Sequence, residues 1–254
     1  MAPSPKILLI DIETSPIVGY TWGMYETDVL SVVEPVKVIC CAYKWLGEKS
    51  VTVKALCDYS GYRGGVVDDK KLIRDLWKVL EEADVVIAHN GDSFDMKILN
   101  TRFLAHGLTA PSTFKTIDTK KVAKKYFRFG NNSLNELGKY LKQGQKAETG
   151  GFDTWLDCMN GCKPAWDRMK RYNIQDIKLL ERVYLQLRPF IGNHPNLNLF
   201  GGKAISEKAC TNCTSTNTTR RGFSITKAGR HQRYQCNDCG SWSTGTYERA
   251  KRIA

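Results

Sequence analysis

The sequence predicts an α/β chain: a sheet of mixed strand direction covered by helices over residues 1–190, followed by a small cysteine-bearing module at 208–254. Three observations carry this expectation. Short apolar runs closed by turn residues alternate with segments of helical period. A stretch from Pro189 to Gly202 holds two prolines, three glycines and three asparagines, and marks 191–207 as a linker. Beyond it, four cysteines stand in two Cys-x-x-Cys pairs.

The first element is a buried strand over residues 6–13, closed by Ser15-Pro16. Residues 37–45 and 50–57 read as two strands joined by Gly47-Glu48-Lys49 into a hairpin. Helical spacing follows at Leu72, Leu76, Val79 and Leu80, and then an apolar strand, Val85-Val86-Ile87-Ala88. Residues 93–106 form a helix ending at Gly107, and 115–118 a short strand running into another helix. The longest helix covers 164–187, with Pro164 in the first turn, where a missing N–H costs nothing.

A chain of 254 residues with 42% hydrophobic side chains can bury one core of ordinary size and carry one small module. Its apolar runs are too short for a membrane span: Ile7 to Ile10 is four residues, and the run from Val36 is broken at Lys37. A cytoplasmic protein is expected. The formal charge of +12 favours a polyanionic partner, and its distribution is uneven: residues 120–146 and 203–254 each carry net +7. Nine cysteines, an odd count without an export signal, suit thiols and metal ligands better than disulfides.

Asp11 and Glu13 lie two apart in a strand and so project from one face. Such a pair is either hydrated at an exposed strand end or held together by a cation. Asp95 follows a buried strand and opens a helix; it either complements the helix dipole, with Asp92 or Ser93 as N-cap, or points at the first pair. Asp176 is more constrained. With Met169, Tyr172, Leu180, Val183 and Leu187 it falls within an arc of roughly 80° on one helix face, so it needs a hydrogen-bonding partner, a base or a metal. Asp118, ahead of Thr119, reads as a helix cap.

Asp11-Ile12-Glu13-Thr14, Asn90-x-x-x-Phe94-Asp95 and Tyr172-x-x-x-Asp176, in that order, resemble the three exonuclease motifs of the DEDD superfamily. The tyrosine of the third motif resembles the DEDDy branch. The resemblance spans residues 6–187 and is nearest to predicted exonuclease domains of bacterial and phage proteins. It implies a ribonuclease H-like fold, in the cytoplasm of a bacterium or a phage-infected host. It also implies that Asp11, Glu13, Asp95 and Asp176 hold two Mg²⁺ or Mn²⁺ ions, in a 3′-5′ exonuclease acting on DNA rather than RNA. By the same analogy Tyr172 orients or helps deprotonate the attacking water, and Thr14 and Asn90 touch substrate or brace the site. A structure-selective endonuclease, or a DNA-binding accessory protein with a silent site, are the competing readings.

Cys210-x-x-Cys213 and Cys236-x-x-Cys239, 22 residues apart, make a four-cysteine zinc-ribbon pattern. Four thiolates close the metal's coordination shell, so the expected Zn²⁺ is structural. Around it stand Arg220, Arg221, Lys227, Arg230, Arg233, Arg249, Lys251 and Arg252 with Phe223, Tyr234, Trp242 and Tyr247. That mixture suits phosphate contact and base stacking, with Arg221, Arg230 and Arg233 as candidate contacts; the alternative is a protein-docking knob with its aromatics as core. Residues 233–240 also resemble zinc ribbons found beside DNA-processing domains. Cys40, Cys41 and Cys57 read as core, and Cys158 and Cys162 lack a second pair.

Overall fold

The structure is a computed structural model and describes residues 5–25, 28–62, 64, 68–201 and 206–250. Its central sheet contains β1 (Ile7–Thr14), β4 (Val38–Trp45), β5 (Thr52–Ala55), β6 (Val85–Ala88) and β7 (Lys115–Asp118). Between β1 and β4 the chain forms a separate hairpin of β2 (Val18–Tyr20) and β3 (Ser31–Glu34). The helices are α1 (Lys70–Glu81), α2 (Asp95–Ala105), α3 (Thr119–Tyr126), α4 (Leu134–Tyr140), α5 (Phe152–Met159) and α6 (Lys163–Leu187). Strands β8 (Thr218–Ile225), β9 (Gly229–Cys236) and β10 (Trp242–Arg249) form a third, antiparallel sheet.

The central sheet has the order β5-β4-β1-β6-β7, with β1 antiparallel to β4 and parallel to β6. This is the mixed direction the sequence predicts. β1 is buried on both faces, which its unbroken apolar run requires. Leu8, Ile10 and Ile12 enter a core with Leu72, Leu76, Leu99, Phe103 and Trp166. Ile7 and Leu9, of opposite parity, enter a second core with Ile177, Leu180, Val183 and Tyr184 of α6. The later turns of α6, from Ile177 to Leu187, therefore lie against the face to which Ile7 and Leu9 point, while its first turns, with Trp166 and Met169, enter the other core.

Most expected elements are present, with instructive differences. β4 and β5 pair as a hairpin, but β5 stops at Ala55, where Asp58 accepts the Ala55 N–H and turns Leu56–Asp58 into a 3₁₀ coil. Neither Asp92 nor Ser93 caps α2; the Asp92 carboxylate instead takes a hydrogen bond from Lys121 Nζ at 2.7 Å. Asp118 does cap α3, accepting from the N–H groups of Lys120 and Lys121. The β2–β3 hairpin went unpredicted; Tyr20, Trp22, Met24 and Tyr25 are exposed on it. Within 191–207, Ile191 and Leu197 are buried against α6, and Leu197 N–H donates to Thr211 O at 2.8 Å. Cys40 and Cys41 are core residues as expected. Among the described residues no helix is long and apolar enough to cross a membrane. Lys251 and Arg252 lie outside the described residues.

Candidate active site and metal centres

Because side chains alternate along a strand, Asp11 and Glu13 share the parity of Ile7 and Leu9 and project toward α6. Asp176 meets them there. One carboxylate oxygen from each of Asp11, Glu13 and Asp176 lies within 4.8 Å of the others. Asp176 is 1% exposed, as its place in the apolar stripe requires.

Asp95 stands beside this trio, as the first residue of α2. Its Oδ1 accepts the N–H of Ile12 at 3.1 Å, between Asp11 and Glu13. The chain reaches that position through a tight turn. Asn90 has φ 68°, in the left-handed region that Asn tolerates better than most residues, and its carbonyl accepts from Ser93 and Phe94. A Cβ on Gly91 would come within 2.3 Å of the Ala88 side chain, so glycine is required next to it. Asn90 N–H donates to Asp118 Oδ1, tying the turn to β7. Asn90 thus holds the turn before α2 through its backbone, and Thr14 is half-buried where β1 ends.

The electrostatics oppose full ionisation. Burial, then the neighbouring Asp95, Glu13 and Asp176, hold the Asp11 carboxyl well above its ordinary range. Burial and Asp176 push Glu13 up to about 8, and burial pushes Asp95 up to about 6. Asp176 is also raised by burial, although the Lys146 ammonium works against it.

Lys146 and Asn173 complete the site, and neither was singled out from sequence. Lys146 Nζ donates to Asp176 Oδ2 at 2.6 Å and to Tyr172 Oη at 2.9 Å. Asn173 Nδ2 donates to Asp11 Oδ2 at 2.5 Å, while its Oδ1 receives the Cys40 thiol. Asn173 and Asp176 are three apart on one helix, a spacing that could have flagged the amide. Lys146 comes from the loop between α4 and α5 and carries no such signal. Tyr172, packed edge-on against Trp155, is a weaker acid than an ordinary tyrosine, because burial and then the neighbouring Asp176 push its phenol pKa up.

The donor set fits a hard divalent cation. Four carboxylates converge, and Asp176 Oδ1 is buried without a hydrogen-bond partner among the described residues. Asp68, Asp69 and His106 also cluster, but Asp69 is saturated: it accepts from Arg102 at 2.6 and 2.9 Å, His106 at 2.6 Å and Val38 N at 2.9 Å. The guanidinium fills the place of a cation there, and the cluster locks α1 and α2 to β4.

A family model described as a predicted 3′-5′ exonuclease related to the exonuclease domain of PolB matches residues 30–160, just over half of the chain. The chain belongs to that family. The match includes Asn90, Phe94 and Asp95, while Asp11, Glu13, Tyr172 and Asp176 fall outside it. Among solved structures, the family B DNA polymerase from the hyperthermophilic archaeon Pyrobaculum calidifontis is similar at 14% identity and a TM-score of 0.51. The similarity covers 89% of this chain and 32% of the polymerase, so the chain spans about a third of that protein's length. It shows the fold alone, and the mixed five-stranded sheet flanked by helices is consistent with a ribonuclease H-like exonuclease architecture. No curated protein matches.

In this exonuclease-family chain the second cluster is built on the third sheet. The ligand sulfurs of Cys210, Cys213, Cys236 and Cys239 all lie within 4.8 Å of one another, with Cys210 to Cys239 and Cys213 to Cys236 each 3.6 Å apart. Tetrahedral zinc thiolates at about 2.3 Å from the metal would sit roughly 3.8 Å apart, so the cage has the right size. The two pairs form matching knuckles: Cys210 N–H donates to Ser215 O at 2.8 Å and Cys236 N–H to Ser241 O at 2.9 Å. Although burial opposes it, hydrogen bonds from Ser241 bring the Cys239 thiol down to about 7.

The candidate contact residues on this sheet separate in space. Arg230 Nε pairs with Glu248 at 2.8 Å, and its guanidinium lies 4.0 Å over the Phe223 ring. Arg233 lies 5.5 Å over Trp242, and Arg221 is exposed in the β8 bulge opposite Arg233. Tyr234, 3% exposed, is core rather than a stacking surface.

Proposed function

We propose that this chain is a two-metal 3′-5′ exonuclease acting on DNA, with a structural zinc ribbon at 208–254 that helps to hold the substrate. The convergence of Asp11, Glu13 and Asp176 from two elements, with Asp95 fixed on the intervening N–H, is the observation that carries it. Buried carboxylates this close repel one another, and the arrangement makes chemical sense around cations.

Asp11, Glu13, Asp95 and Asp176 would hold two Mg²⁺ or Mn²⁺ ions, which supply a nucleophile at neutral pH and offset charge on the phosphate. The protein's own residues do the positioning. Asn173 fixes the Asp11 carboxylate and Ile12 N–H fixes that of Asp95. Tyr172, as a phenol, donates a hydrogen bond and so orients the attacking water rather than deprotonating it. Lys146 holds Asp176 and Tyr172 in one arrangement before cations arrive.

The family supports a nuclease, and 3′ polarity, metal use and substrate are tested together by one time course. End-labelled single- and double-stranded DNA and RNA, and a covalently closed circle, are incubated with Mg²⁺ or Mn²⁺ and either wild type or Asp11→Ala. Laddering from the 3′ end by wild type alone, with the circle intact, is the expected result. Cleavage of the circle would show an endonuclease. Absence of metal-dependent cleavage would leave a DNA-binding accessory protein, and full activity in Asp11→Ala would show that the cleavage does not come from this site.

A further inference from the structure

We propose that one face of the three-stranded sheet is a binding site for single-stranded nucleic acid, with Trp242 and Tyr247 as base-stacking platforms and Arg233 as the phosphate contact between them. This rests on the reading of the ribbon as a substrate-holding module and assigns it a face and a strand state.

Strand register separates the two faces. Residues paired directly across strands share a face, so His231, Arg233 and Gln235 of β9 lie with Tyr247, Thr244 and Trp242 of β10. Arg230, Gln232, Tyr234 and Cys236 lie on the other. That second face is occupied by the protein itself: Tyr234 is buried, Cys236 serves the cysteine cage, and Arg230 is spent on Glu248 and Phe223. The first face is open. Trp242 is 49% and Tyr247 42% exposed, too much for core residues. Arg233 spans Trp242, and His231 stacks at a tilt on Tyr247 with ring centroids 5.1 Å apart.

Charge points the same way. The acids of residues 218–249 are Asp238 and Glu248. Asp238 is held by Asn217 in the knuckle, and Glu248 lies on the opposite face with Arg230. Glu207, outside that span, accepts from Thr246 of β10 on the side of Gln232 and Tyr234. Among the described residues the aromatic face therefore presents arginine and imidazole and no carboxylate, as a phosphate backbone requires.

Spacing selects the strand state. Trp242 sits opposite Gln235 and Tyr247 opposite His231, four positions apart along β9. At a rise of roughly 3.4 Å per residue the two backbone positions that carry the rings are about 14 Å apart along the sheet. Bases stacked in a duplex, at about 3.4 Å per step, offer no open faces to rings so spaced. An extended single strand does, with Arg233 at the phosphates between. Stacking tolerates any base, so little sequence preference is expected.

The test uses full-length chain carrying Asp11→Asn, so that substrate survives, and fluorescence anisotropy with labelled oligo(dT) and a blunt duplex. Trp242→Ala with Tyr247→Ala weakens oligo(dT) binding at least tenfold, while Arg230→Ala changes it less than twofold. Zinc content of one ion per chain in each variant shows the ribbon intact, and Trp242→Phe with Tyr247→Phe retains most of the affinity. Binding of oligo(dT) by the alanine variant within twofold of its parent, or tighter binding of the duplex than of oligo(dT), overturns the proposal. Cleavage by wild type is read separately: loss of cleavage with face-dependent binding retained rejects the nuclease, whereas cleavage with face-independent binding rejects this site alone.

Discussion

The two clusters of ligand-type residues in this chain stand in opposite relation to its stability. The carboxylates sit in a molecule that is already folded around two apolar cores, and they cost it energy: each is pushed toward its protonated form by burial, and Asp11 and Glu13 also by their acidic neighbours. The cysteines sit where a core is nearly absent. Tyr234 and Cys236 are the residues of the third sheet's strands buried in the apolar sense, so the proposed zinc takes the place of a core. A functional site is thus imposed on a scaffold that tolerates it, whereas a structural site is the scaffold.

Opposite responses to ligand removal follow. Cys236→Ser has the largest effect: apparent zinc affinities of about 10–16 kcal/mol in small modules far exceed what three short strands supply, so zinc content falls from one to zero and amides of 218–249 lose hydrogen-exchange protection. The central sheet keeps its protection. Simultaneous unfolding of both sheets would show that the comparison is drawn in the wrong place.

Asp11→Asn does the reverse. Hydrolysis drops by on the order of 10³, corresponding to roughly 4 kcal/mol of lost transition-state stabilisation, while the melting temperature without Mg²⁺ or Mn²⁺ rises by a few degrees. Calorimetry on dialysed, zinc-loaded protein checks this, and a lower melting temperature would mean the carboxylate stabilises the fold.

Tyr172→Phe is smaller, with turnover about 10²-fold lower at unchanged Mn²⁺ affinity, because a positioned hydroxyl and not a ligand is lost. Single-turnover rates beside a Mn²⁺ titration separate the two.

The smallest effect is a pH drift. Glu13 is raised in the fold from 4.5 to about 8, so the folded state holds more protons between those values and stability falls as pH rises toward 8. His89, brought down to about 4 chiefly by burial, works in the opposite direction below its unfolded value of 6.5. Asp11, also raised by burial, acts in the same direction as Glu13, so the difference between wild type and Glu13→Gln carries the Glu13 share: from pH 6.5 to 8 zinc-loaded wild type loses stability relative to the variant, and saturating Mn²⁺ flattens the difference. An equal slope in both proteins would remove Glu13 from the cluster.

What was legible in the sequence was whatever periodicity encodes. The parity of Asp11 with Glu13 and the position of Asp176 in an apolar stripe both follow from local geometry, and both are where the structure places them. Asp95 reads from sequence as either a first-turn acid or a member of the cluster, and the structure sets its Oδ1 on the Ile12 N–H, between Asp11 and Glu13. Lys146 was invisible because a loop 30 residues before Asp176 delivers it, and no spacing rule spans a loop. The face of the ribbon carrying Arg233 rather than Arg230 likewise depended on cross-strand register and bulges, which composition does not contain.

The central claim is that Asp11, Glu13, Asp95 and Asp176 form one cation site on which cleavage depends. Mn²⁺ binding counted by electron paramagnetic resonance on zinc-loaded wild type and Asp176→Asn, with cleavage of end-labelled DNA followed in the same samples, tests it most directly. Two ions per wild-type chain, fewer in the variant, and loss of cleavage in step are the predicted result. Equal Mn²⁺ binding by both proteins, or cleavage undiminished in Asp176→Asn, would contradict it.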